Sequence, residues 1–202
     1  MAATDKLNKA LDSFLHDQGN VNDLGPLLYY LNSHDTAGYD QLRRLACNDL
    51  SESLLELWEW KLINPVRSSL CGEWDSRIMM IAPGEVYEMP NISRMLVKNG
   101  ITSGVWDSKQ AIAQLFQIMG EPEWQKIPII VQDIKSCTIH NIITAIKIKT
   151  ICARYGLKHK TGTMIAVLKS AGIISPKLMA FDQISRSASP LYECNPCVYP
   201  KI

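Results

Sequence analysis

The chain has 202 residues, 47% hydrophobic and 20% charged: enough apolar content to fill a core, with no apolar run long enough to span a bilayer. Its net charge of +1 hides a division. Residues 1–90 carry 7 Lys+Arg against 14 Asp+Glu, a net of −7, whereas residues 91–202 carry 14 against 6, a net of +8, so the total excludes nothing about nucleic-acid affinity.

Residues 5–16 place Leu7, Ala10, Leu11, Phe14 and Leu15 at three-to-four spacing, which predicts an amphipathic helix ended by Gly19-Asn20. A second helix is expected over 26–31, apolar nearly all round, and broken by Ser33, His34 and Asp35. Asp40 reads as the N-cap of a short third helix with Leu42, Leu45 and Ala46, and a fourth runs over 50–62. Beyond Asn64-Pro65, residues 66–70 and 77–82 read as two strands of a hairpin around Gly72. Residues 84–125 read as a linker with helices at 92–98 and 108–119, closed by Gly120-Glu121-Pro122. Residues 127–131 fit either a strand or a buried helix.

The second half repeats the first. Leu57 to Pro65 and Leu168 to Pro176 both read as a helix end, an apolar pair, a small polar residue and a proline, offset by 111 residues. One duplication at this period means two modules of one type rather than a solenoid. The alternation Ile146-Lys147-Ile148-Lys149 predicts a short strand. Thr150 then caps a helix over 151–155, Gly156 supplies a turn, and a helix is expected over 158–171. It has Met164, Ile165, Leu168 and Ala171 inward and Gly172 just past its end. Residues 177–181 and 191–193 are expected to pair around a loop over 182–190.

Three helices followed by a two-stranded hairpin, twice over, resembles the winged-helix form of the helix-turn-helix found in bacterial and archaeal transcription regulators. The resemblance implies an α+β, mostly helical fold of tandem winged-helix domains joined by linker helices. It divides the chain into an N-terminal helix (1–21), an acidic winged-helix-like domain (22–90), a helical linker (91–125) and a basic winged-helix domain (126–202). It implies duplex DNA as the partner of the basic domain.

A helix in a major groove needs cations for phosphates and hydrogen-bonding side chains for base edges. Lys158, His159, Lys160, Thr161 and Thr163 supply both, Gly162 permits close approach, and Lys147, Lys149, Arg154, Lys169, Lys177 and Arg186 add charge nearby. The equivalent helix of the first module carries Asp49, Glu52, Glu56 and Glu59 as an acidic stripe, which phosphates repel. Its apolar residues cover more than one face. Leu57, Trp58 and Trp60 therefore suggest a protein interface, as a homodimer or with another protein, or else packing on the linker helices or over the hairpin.

Cys194 and Cys197 form the one close cysteine pair, and Cys137 and Cys152 are the nearest further ligands. Structural zinc takes four ligands, so an incidental pair is the simpler reading and no metal or cofactor is expected. The chain shows no phosphate-binding glycine loop, no nucleophile elbow and no paired acid and base, so no enzymatic activity is expected. A start without an apolar signal region and dispersed cysteines predict reduced thiols and a cytoplasmic protein. The rival function is an adaptor that binds proteins and not DNA.

Overall fold

The computed structural model describes residues 3–16, 19–46, 48–66, 79–177 and 189–199. The fold is α+β and mostly helical, with two small antiparallel sheets. The first sheet joins β1 (Thr36–Gly38), β3 (Val86–Glu88) and β2 (Asn64–Pro65), with β3 central. The second joins β4 (Ile142–Thr144), β6 (Leu191–Cys194) and β5 (Ile174–Pro176), with β6 central.

Each sheet grows from the same order of elements. A helix leads into the first strand, two helices follow, and two strands close the set. The first set uses α2 (Val21–Ser33), α3 (Tyr39–Arg43) and α4 (Leu50–Glu59); the second uses α7 (Ile127–Ser136), α8 (Ala145–Arg154) and α9 (Thr161–Ser170). The ladders repeat residue by residue. Glu88 lies between Thr36 and Asn64 as Glu193 lies between Ile142 and Ser175. Tyr87 lies between Ala37 and Pro65 as Tyr192 lies between Ile143 and Pro176. The repeat is thus structural: the 111-residue offset holds for Asn64-Pro65 against Ser175-Pro176, while β1 and β3 have their counterparts 106 and 105 residues on, and proline takes an edge strand in both sheets, where its missing N–H costs no ladder bond.

Helices α1 (Ala3–Leu15), α5 (Asn91–Ser103) and α6 (Ser108–Ile118) are the remaining α-helices among the described residues. All five residues of the α1 stripe are buried. Gly100 lets α5 approach α1 closely, since a Cβ there would lie 3.1 Å from Leu7 Cδ1. Arg94 of α5 donates to the carbonyls of Leu31 and His34, both at 2.8 Å, and to that of Asp35, satisfying the end of α2. One hydrophobic cluster runs from Leu7 through both repeats to Val198.

The two repeats meet at a seam built from equivalent parts. Lys61 and Gly172, 111 apart, follow α4 and α9 in the left-handed conformation (φ 54° and 75°), and 6→1 bonds from Leu62 N–H to Leu57 O and from Ile173 N–H to Leu168 O close both helix ends. Asn195, fully buried just past β6, donates from Nδ2 to Gly172 O at 2.8 Å and to Lys61 O at 3.4 Å. Pro90, just past β3, packs on Gly172, where a Cβ would come 2.7 Å from Pro90 Cβ. The C-terminal ends of α4 and α9 thus share one seam, and their starts lie about 15 Å along each helix, away from it.

Several elements differ from expectation. Helix α2 begins at Val21 instead of 26 and runs through Pro26, because burying Leu24, Leu27, Leu28 and Leu31 on one face outweighs one lost bond. Gly38, not Asp40, precedes α3, and its N–H donates to Gln41 Oε1 at 2.8 Å. Residues 146–149 are helical rather than a strand. Ile148, Ile151 and Cys152 are buried at helical spacing, and Thr144, not Thr150, caps α8 by accepting from Lys147 N–H at 3.2 Å. The stretch 127–131 is buried helix, within α7.

The expected helix over 158–171 divides into a 3-10 turn at Lys158–Lys160 and the helix α9. The first hairpin pairs β2 with β3 instead of 66–70 with 77–82. Residues 79–82 are not strand, and Tyr87 OH donates to Met80 O at 2.8 Å. Residues 67–76, the loop around Gly72 and most of 177–181 and 182–190 lie outside the described residues.

Candidate nucleic-acid interface

The expected DNA-contacting residues group on α8, the 3-10 turn and α9, on either side of Gly156, which turns the chain at φ 77°. Lys147, Lys149, Lys158, His159, Thr163 and Lys169 are all exposed, and among the described residues none of these lysines has an ion-pair partner. Gly162, Thr163, Ala166, Lys169 and Ser170 form the exposed face of α9. A Cβ at Gly162 would meet nothing within 4 Å, so the face is open at its start. Small polar residues beside lysines make a surface that a backbone phosphate can approach closely.

Four expected residues are held internally instead. Arg154 pairs with Asp133 of α7 at 3.2 Å, and Tyr155 OH donates to the same carboxylate at 2.7 Å, a bond that raises the tyrosine pKa. Lys160 reaches Glu123 at 3.5 Å. Glu123 also takes Lys126 at 2.8 Å, and these bonds, Lys126 first, hold its carboxyl below the ordinary value. Thr161 donates to Lys158 O at 2.8 Å and bonds the buried thiol of Cys152, so it braces the turn from inside. Lys177 lies 4.0 Å from Glu193. Arg186 lies outside the described residues.

Alignment at the 111-residue offset places Asp49 opposite Lys160, both immediately before a helix. Asp49 Oδ1 accepts from Ser51 N–H at 2.7 Å and Glu52 N–H at 3.4 Å, closing the start of α4. Lys160, the residue before α9, makes no side-chain cap bond to it. One helix start presents a carboxylate and the other follows a 3-10 turn that carries two lysines, a difference in charge that favours phosphate at the second alone.

The expected protein-interface residues separate. Leu57 is fully buried in the core and cannot meet a partner. Trp60 sits edge-on to Phe14 of α1 at 4.8 Å, and Phe14 stacks on Trp106 at 4.7 Å, so Trp60 faces α1. Trp58 remains half-buried, with Lys61 Nζ 4.2 Å above its ring. Cys152, Cys194 and Cys197 are buried and Cys137 is half-buried. Burial pushes the thiols of Cys194 and Cys197 up to about 12, which opposes the thiolate a metal ligand needs. Among the described residues no three His, Cys, Asp or Glu side chains converge as a metal site, and no helix is long and apolar enough to cross a membrane.

Asp133, Glu123 and Asn195 escaped the sequence reading, since each acts on a residue remote from it in the chain. Only the pairing of Asp49 with Lys160 carried a signal, the offset itself.

These features define a class: a two-repeat α+β protein with an acidic helix face in one repeat and a basic one in the other. A protein-family model matches residues 27–201, which span both repeats, and the chain belongs to that family. No curated protein and no solved structure matches it.

Proposed function

We propose that the chain is a cytoplasmic DNA-binding protein, a transcriptional regulator made of two winged-helix copies. The second copy contacts duplex DNA, and the first serves dimerisation or another protein contact. The order of helices and strands and the two ladders, each with its last strand central, support the winged-helix reading. The observation that carries the DNA reading is the exposed α9 face with Lys147, Lys149, Lys158 and Lys169 around it and no carboxylate answering them among the described residues. Electrostatic contact with phosphates dominates such binding, and Thr163 and His159 stand where base edges would be read.

The test is anisotropy of a labelled duplex titrated at several salt concentrations. Lys147→Ala with Lys158→Ala removes two phosphate contacts, so the slope of log affinity on log salt should become shallower by about 1.8. An unchanged slope, or no binding by the wild type at low salt, overturns the proposal and leaves the adaptor reading.

A further inference from the structure

Helix α4 presents Glu52, Glu56 and Glu59 on one side, with Leu55 43% exposed between them. Like charges at this spacing cost helix stability, so the stripe is not a device for stabilising α4. It runs into a cleft of about 420 Å³ between the two repeats, where Glu56, Trp58, Glu59 and Lys61 of the first repeat face Asn141 and Glu193 of the second. Lys177 answers Glu193 at 4.0 Å, and among the described residues Glu52, Glu56 and Glu59 form no ion pair, so the excess negative charge lies on the α4 side with Lys61 beside it in the cleft.

The chain shows what this surface recognises. Its own Lys61 lines the same cleft and is held over the Trp58 ring at 4.2 Å. Burial first, and then the charge of Glu59, push the Glu56 carboxyl above its ordinary value. A guanidinium satisfies both features at once, because it stacks flat on indole and forks onto a carboxylate.

We propose that the α4 face and its cleft bind an arginine-rich segment of a partner protein. This extends the division of roles proposed above by naming the chemistry that the first copy recognises. Charge complementarity selects the occupant: the face repels nucleic acid and acidic peptides, and its apolar centre, Leu55 with Trp58, suits the stems of long basic side chains.

The test uses the full chain and three short peptides in calorimetry at low salt, alternating Ala with Arg, Lys or Glu. The Arg peptide should bind, the Lys peptide roughly tenfold more weakly, and the Glu peptide not at all. Glu52→Gln with Glu59→Gln, both at exposed positions, should weaken the Arg peptide roughly tenfold and leave duplex affinity unchanged. Absent binding, equal binding of Arg and Lys peptides, or equal binding by the double variant overturns it. So does occupation of the face by a second copy, seen as a mass that doubles with concentration in wild type and not in the variant. A chain that binds the peptide and no duplex refutes the DNA reading and not this one.

Discussion

Helices α4 and α9 occupy the same place in two copies of one arrangement, yet their solvent faces share almost nothing. Position by position, Ser51, Glu52, Leu55, Trp58 and Glu59 stand where α9 has Gly162, Thr163, Ala166, Lys169 and Ser170. Of the four buried α4 positions, Leu54 and Leu57 keep apolar counterparts in Ile165 and Leu168, whereas Leu50 and Ser53 stand against Thr161 and Met164. The seam is shared, down to two left-handed residues after the two helices. A duplicated fold is held by its cores and helix ends, which leaves each exposed face open to take its own partner.

The largest expected effect lies at the seam. Gly172→Val places a branched side chain in the left-handed region and drives its Cβ into Pro90, and should cost about 3 kcal/mol, read as a lower urea midpoint. The equivalent Lys61→Gly should cost far less than Gly172→Val, since about 1 kcal/mol of left-handed strain is relieved against the loss of the Trp58 contact and the other contacts of the lysine side chain. Equal responses at the two sites would break the comparison.

The helix starts test it next. Asp49→Ala removes two hydrogen bonds from the start of α4 and should cost about 1 kcal/mol with duplex affinity unchanged. Lys160→Asp removes the part-buried pair with Glu123 and sets a second carboxylate beside it, and Lys160 lies in a 3-10 turn rather than in the extended conformation of a capping residue, so stability should fall by about 1 kcal/mol. The same change should weaken the duplex. Denaturation and anisotropy on both variants separate the roles, and a loss of duplex affinity in Asp49→Ala would undo the division.

The sequence revealed the cores better than the edges. Five residues of α1 at helical spacing are all buried, and Leu168 with Ala171 points inward as the spacing requires. Strands of two or three residues carry no periodicity to read, so β1 and β3 passed as loop and linker. Ile146 to Lys149 satisfies period two over four residues, and only the extension to Ile151 and Cys152 shows the helix, with Ile146 left 57% exposed. At the site the lysines themselves were legible. Which of them are engaged was not, because Asp133 and Glu123 reach Arg154 and Lys160 from elements 21 and 37 residues away.

The smallest effect separates the copies by pH. Glu56 has Val167 as its equivalent, so one copy carries a half-buried carboxyl where the other carries an apolar side chain. Burial, and then the charge of Glu59, raise the Glu56 pKa above its ordinary value of 4.5. A raised acid holds its proton more tightly in the folded chain than in the unfolded one. Its stabilising contribution is therefore present below the unfolded pKa and is lost as pH rises through the folded pKa. Glu56→Gln imitates the protonated state at every pH. It should raise the unfolding free energy at neutral pH, read from urea denaturation, by roughly a few tenths of a kcal/mol after solvent screening, and the gain should vanish as pH falls towards the unfolded value. A gain that stays constant with pH would mean that the carboxyl contributes through its shape rather than its charge, and the acidic face of the first copy would then carry no electrostatic strain at this residue.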